Sequence, residues 1–227
     1  MYVRLNMIVE GQTEETFVNR TLKPHLGSLS VGASVRVVTT RRTRGKKYRG
    51  GLSTYAKARN DIALWMKQDR NPEVRFTTMF DLYGLPTDFP GYKTAANDDP
   101  HRRVEALEKA LKSDIGDERF IPYIQLHEFE TLLLSDPERL DAQFDGAADG
   151  IAKLTTAVAR FPSPEHVNDG ATTAPSKRII RAIPEYEGRK ASAGPIVAGQ
   201  IGLPTIRSKC KHFASWLAKL EQLATEN

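Results

Sequence analysis

The sequence predicts an α/β protein: a mostly parallel four-stranded sheet flanked by helices, with a helical C-terminal extension. Four short apolar, β-branched runs alternate with amphipathic helical stretches up to Leu126. That alternation implies parallel strands joined by crossover helices. Beyond Leu126 the strand-like runs stop and helical spacing takes over. The expected organisation is an α/β core over 1–135 and a helical region over 136–227 packed on it. The chain has 227 residues, 40% hydrophobic and 27% charged, enough to bury a full core without disulfides. With 16 Gly, 13 Pro and no sustained heptad, collagen, extended disorder and coiled coil are excluded.

The first strand is read at residues 3–9, after which Gly11 turns the chain into a helix expected to be capped by Thr13, with Glu14 and Glu15 favourable in its first turn. Pro24 is expected to end that helix. Val35 to Thr39 is the second β-branched run. Tyr55, Ala58, Ile62, Trp65 and Met66 then fall on one helical face. Val74 to Phe80 is the third strand, ending at Asp81, and Gly84, Pro86, Pro90 and Gly91 fill the connection after it. Val104, Leu107, Leu111 and Ile115 mark another helix, and Phe120 to Leu126 the fourth strand, with Pro122 tolerated near its start. Leu132–Leu134 open a buried helical turn, Ile151, Leu154 and Val158 another helix, and Ile206, Cys210, Phe213, Leu217 and Leu220 a closing one.

The chemistry is expected at the strand ends. Glu10 follows the first strand, Asp81 the third, and Glu128 and Glu130 the fourth. Ligands of open α/β sheets bind at the carboxyl ends of the strands. Acids gathered there repel one another unless a cation neutralises them, and oxygen donors suit Mg²⁺ or Mn²⁺. Separate helix caps and surface acids are the competing reading. Residues i and i+2 share a face in a strand but diverge by about 200° in a helix, so one of Glu128 and Glu130 is expected to face the site. Glu128, nearer the strand end, is favoured, with His127 as a supporting partner. Asp88 lies in a Pro-rich loop and reads as a surface acid.

Net charge is +5, with 33 Lys and Arg against 28 Asp and Glu, and the positive charge is clustered. Residues 41–49 hold six basic side chains and no acid. Arg44, Lys46, Lys47 and Arg49 could form a phosphate-binding loop or a solvated one, with Lys177 and Arg178 as a second basic cluster. The other motifs are negative. Gly45-Lys46-Lys47 lacks the remaining residues of a nucleotide-binding glycine loop, no Gly-x-Ser-x-Gly elbow occurs, and His127-Glu128-Phe129-Glu130-Thr131 lacks the second histidine of a zinc-protease helix. Cys210 reads as a reduced core residue. Tyr48, Tyr55 and Tyr83 are scattered, without the register of a stacking groove. There is no signal-peptide pattern and no apolar run of about 20 residues, so a cytoplasmic protein without a membrane span is expected.

Ile8-Val9-Glu10-Gly11-Gln12-Thr13-Glu14 resembles the first motif of Toprim domains, the fold shared by topoisomerases, bacterial primases and overcoming-lysogenization-defect nucleases. The chain more closely resembles one Toprim-like bacterial family, domain of unknown function 4276. Phe80-Asp81-Leu82-Tyr83-Gly84-Leu85-Pro86, Gln125 to Glu130, Ala174 to Arg178, and Ile201-Gly202-Leu203 through Trp216 carry that resemblance. Toprim similarity implies a glutamate that acts as general acid or base, matched by Glu10, and an acidic pair that binds Mg²⁺, whose first member is Asp81. Tyr83 stands where the second acid would be. Glu128 or Glu130 is then the substitute ligand.

A Mg²⁺- or Mn²⁺-dependent nuclease on DNA or RNA is thus the leading expectation. A non-catalytic module that binds nucleic acid or a partner is its rival, and phosphoryl transfer on a small nucleotide the third reading. The resemblance also implies a neighbouring ATPase partner and a part in anti-phage defence. Nothing in the sequence sets an oligomeric state.

Overall fold

Strand β1 (Val3–Val9) alternates cleanly: Val3, Leu5, Met7 and Val9 are buried on one face of the sheet, and Ile8 is buried on the other. Around it the computed structural model describes residues 2–38, 52–95, 99–167 and 170–225. Strands β2 (Val31–Val37) and β3 (Arg75–Asp81) pair with β1 in parallel on either side. The fourth position is shared by two short segments, β4 (Phe120–Ile121) and β5 (Ile124–Gln125), both parallel to β3. The order is β2-β1-β3-β4, with β5 continuing the outer line. The predicted parallel α/β sheet is present, its last strand split.

The split has a local cause. Pro122 has no N–H to give the ladder, yet Phe76 opposite Phe120 and Phe80 opposite Ile124 keep one register across the gap. Thr78 closes it: its hydroxyl accepts from the Tyr123 N–H at 3.0 Å and donates to the Tyr123 carbonyl at 2.9 Å.

Helices α3 (Tyr55–Gln68) and α4 (Pro100–Ile115) cover the Ile8 face, where Ala58, Ile62, Trp65, Val104, Leu107 and Leu111 pack with Phe76 and Phe80. Asp88 accepts the Tyr55 N–H at 3.0 and 3.1 Å, and so serves the start of α3. The other face is covered by α1 (Gln12–Phe17), α2 (Lys23–Ser28) and the C-terminal helices. These are α5 (Glu130–Leu133), α6 (Ala148–Val158), α7 (Pro175–Ala182), α8 (Tyr186–Ile201), α9 (Leu203–Lys209) and α10 (Lys211–Gln222). Trp216 of α10 stacks on Tyr123 at 4.1 Å between ring centres and donates to Thr78's neighbour, the Thr77 hydroxyl, at 2.9 Å.

Several element expectations are corrected. The first helix is capped at Gly11, whose N–H goes to the Glu14 carboxylate at 2.9 Å, and Thr13 lies inside it. Pro24 does not stop the chain from coiling. A π turn at Val18–Leu22 resets the hydrogen bonding, so Pro24 falls in the first turn of α2, where its missing N–H costs nothing. The second strand begins at Val31 instead of Val35, because Gly32 and Ser34 pair with β1 as readily as the apolar residues do. The closing helix is broken at Cys210, whose backbone is extended between α9 and α10.

Candidate active site

In a parallel sheet every carboxyl end lies on one edge, so β1, β3 and β5 deliver their following residues to the same place. Glu10 and Asp81 meet there: the Asp81 N–H donates to Glu10 Oε2 at 3.1 Å. Gly84 lies against the same carboxylate, since a Cβ at that position would stand 2.9 Å from Glu10 Oε1. One turn into α1, Glu14 is buried at 5% exposure beside them.

Glu128 and Glu130 both belong to this group. The expectation that only one would face it assumed a continuous strand or helix. The chain is neither: His127 takes a left-handed φ of +61°, and α5 begins only at Glu130. This kink lets both acids act on Asp81. The Asp81 carboxyl is held well above the usual carboxylate range by burial, then by Glu10, Glu14, Glu130 and Glu128. Its Oδ1 is buried without a hydrogen-bond partner among the described residues.

Burial pushes Glu10 up to about 7, opposed by the Asp81 N–H and reinforced by Glu128. Burial together with Glu10 pushes Glu14 up to about 8. Glu130 is also raised, chiefly by burial, against the pull of Lys190, 3.7 Å away on α8. Tyr186 donates to Glu130 Oε1 at 3.2 Å. Glu128 has a different support, accepting the Ser176 N–H at the start of α7 at 2.8 Å, where the helix terminus favours a negative charge. His127 is buried at 1% exposure, with Nε2 at 2.9 Å from the Glu165 carbonyl. It therefore braces the loop through Glu165.

The family model described as Domain of unknown function (DUF4276) matches residues 9–221. The chain belongs to this family. Among solved structures this DUF4276 chain is similar to the C-terminal region of the Burkholderia pseudomallei OLD protein, at 14% identity and a TM-score of 0.39, over 99% of this chain and 100% of that one. Comparison with curated proteins finds no match.

The basic residues of the DUF4276 chain fall differently. Arg44, Lys46, Lys47 and Arg49 lie outside the described residues. Lys177 and Arg178 follow Ser176 in the first turn of α7, which ties them to the loop that holds Glu128; Arg178 donates to the Thr173 carbonyl at 2.7 Å and lies over the Phe161 ring. Cys210 is fully buried, 3.3 Å from the Ser135 hydroxyl, and burial pushes its thiol up to about 12, as expected of a core cysteine.

Sequence reasoning missed Glu14, Tyr186 and Lys190 as members of the acid group. Glu14 had a signal, four residues after Glu10 and so one helical turn away, but its polarity fitted a solvated first turn equally well. Tyr186 and Lys190 had none, because α8 was not predicted.

The donor set is all oxygen, and Asp81 Oδ1 is buried without a hydrogen-bond partner among the described residues; both match the needs of a hard divalent cation. Among the described residues no three His, Cys, Asp or Glu side chains are already arranged as a metal-holding group. Nor is any helix among them long and apolar enough to cross a membrane.

Proposed function

We propose that this protein is a divalent-metal-dependent phosphodiester hydrolase of Toprim type that acts on nucleic acid. The observation that carries the reading is the buried acid group at the carboxyl edge of a parallel sheet, with Asp81 Oδ1 unpartnered inside it. Clustered carboxyls raised by burial and by one another are a mark of functional sites.

In this reading Asp81, Glu128 and Glu130 would hold Mg²⁺ or Mn²⁺. When bound, the cation would polarise the scissile phosphate and lower the pKa of attacking water. Glu10 moves the proton. With its pKa near 7 it can accept and release a proton at neutral pH, and the Asp81 N–H fixes the carboxylate that does so. The Ser176 N–H at the start of α7 would hold the Glu128 carboxylate in place to ligate. Lys177 and Arg178, with Arg44, Lys46, Lys47 and Arg49, are assigned to flanking phosphates.

The test is incubation with supercoiled plasmid, linear DNA and single-stranded RNA in Mg²⁺, Mn²⁺ or EDTA, with Glu10→Ala and Asp81→Ala alongside. Cleavage should need metal and vanish in both variants; cleavage that persists unchanged in Glu10→Ala overturns the reading. Tyr83 in place of an acid favours a second one, a non-catalytic module that binds nucleic acid or an ATPase partner within a phage-defence system. It predicts salt-sensitive DNA binding that survives EDTA, with no cleavage under any condition.

A further inference from the structure

We propose that Tyr83 is a stacking platform for one unpaired nucleobase, which makes single-stranded nucleic acid the substrate class of the site. The inference rests on the nucleic-acid reading above and adds the strandedness of the polymer. Among the described residues four large apolar side chains are exposed: Tyr2, Leu29, Leu64 and Tyr83. Tyr83 alone of these sits at the carboxylate edge. Its residue is 48% exposed, while Leu82 and Leu85 on either side are buried at 4% and 5%.

The ring is carried on a fixed turn. The Tyr83 N–H donates to the His127 carbonyl at 2.9 Å, and the Gly84 N–H to the Asp81 carbonyl at 3.1 Å. The same turn brings Gly84 against the Glu10 carboxylate. An aromatic surface is therefore held toward solvent two residues from Asp81 and one residue from the Glu10 contact. That placement leaves the ring outside the core and open to a ligand.

A phenol is also not among the hard oxygen ligands that Mg²⁺ selects, so the ring does not restore the acid whose position it takes. What it offers is an exposed aromatic face on the turn that follows Asp81 and abuts Glu10. In a nucleic acid each phosphate is flanked by bases, and stacking on an aromatic ring accepts any of them. Bases in a duplex are already stacked and paired. Only an unpaired base can reach this ring without an unstacking cost.

The experiment measures binding by fluorescence anisotropy with a labelled single-stranded oligonucleotide and its duplex, in EDTA and in Ca²⁺. Tyr83→Ala should weaken single-strand binding by about tenfold, the loss expected for one base stack. Tyr83→Phe and Tyr83→Trp should stay within about twofold of wild type, and duplex binding should not change. A set of oligonucleotides with one abasic site at successive positions adds a finer test. One position should reproduce the loss in wild type and cost nothing further in Tyr83→Ala. Equal single-strand affinity of wild type and Tyr83→Ala, with unchanged melting temperature, overturns the stacking role while leaving the nucleic-acid reading in place. Tyr83→Phe as weak as Tyr83→Ala also overturns it. Absence of any oligonucleotide binding by wild type removes the nucleic-acid reading itself.

Discussion

A methyl group added at Gly84 would stand 2.9 Å from Oε1 of Glu10, a separation that real Cβ atoms do not adopt, so the carboxylate must move. The backbone around Gly84 is held by the Asp81 carbonyl and cannot easily yield instead. Gly84→Ala should therefore lower metal-dependent cleavage by about fivefold, well short of the roughly 100-fold that a full 1 Å displacement of a reacting group costs. The fold should lose no more than about 1 kcal/mol. Parallel melting curves and cleavage rates decide it, and an unchanged rate would detach Glu10 from the chemistry. At this scale the sequence was partly legible. Glu10 and Asp81 could be read because each directly follows an apolar strand run. Glu14 could not be separated from an ordinary first-turn acid, since burial leaves no mark on residue type. The φ of +61° at His127 was likewise hidden, because a histidine, though enriched in the left-handed region, adopts it too rarely for one residue to mark the kink.

Elements were legible where periodicity is strong and illegible where one side chain substitutes for backbone. α3 and α4 carry regular apolar faces and were read correctly. α8 was missed, since Gly194 and Pro195 interrupt any helical pattern. Gly194 keeps a close approach there: a Cβ would lie 3.1 Å from the Tyr186 hydroxyl, tighter than most Cβ contacts, and in ordinary contact with Phe129 and Thr13 of α1. The interrupted outer strand is the sharper case. The Thr78 hydroxyl bonds both backbone groups of Tyr123 across the Pro122 gap, and Thr78 is fully buried. Thr78→Val keeps the shape and removes the hydroxyl, taking away the bond to the Tyr123 N–H and one bond to its carbonyl. A loss of about 1–3 kcal/mol follows from orphaning the N–H. Thr78→Ser keeps the bonds and loses only a methyl, for about 1 kcal/mol. Urea unfolding of the two variants separates the effects, and equal losses would mean that the hydroxyl does not bridge the gap.

Across the whole molecule, the acids and their supports come from distant parts of the chain. Glu10, Glu14, Asp81, Glu128 and Glu130 stand on segments before α6. Ser176, Tyr186 and Lys190, which bond or pair with Glu128 and Glu130, stand on α7 and α8. The parallel sheet could be read from alternating patterns, but this convergence could not, because it depends on how the C-terminal helices pack. Its electrical consequence is measurable. In the unfolded chain Glu10 and Glu14 release their protons near pH 4.5, whereas the folded protein holds them to about 7 and about 8. Between those values the native state binds more protons than the unfolded state, so stability is full below pH 4.5 and declines as pH rises toward 8. Glu14→Gln retains an oxygen for the Gly11 N–H and removes the ionisation. It should match wild type at pH 4.5 and exceed it by on the order of 2 kcal/mol at pH 8. Denaturant unfolding at both pH values is the check, and parallel pH profiles for the two proteins would show that Glu14 is not part of a repelling group. Mg²⁺ added at pH 8 should recover part of the wild-type deficit if the acids jointly hold a cation, and should do less for Glu14→Gln, whose acid group already carries one charge fewer.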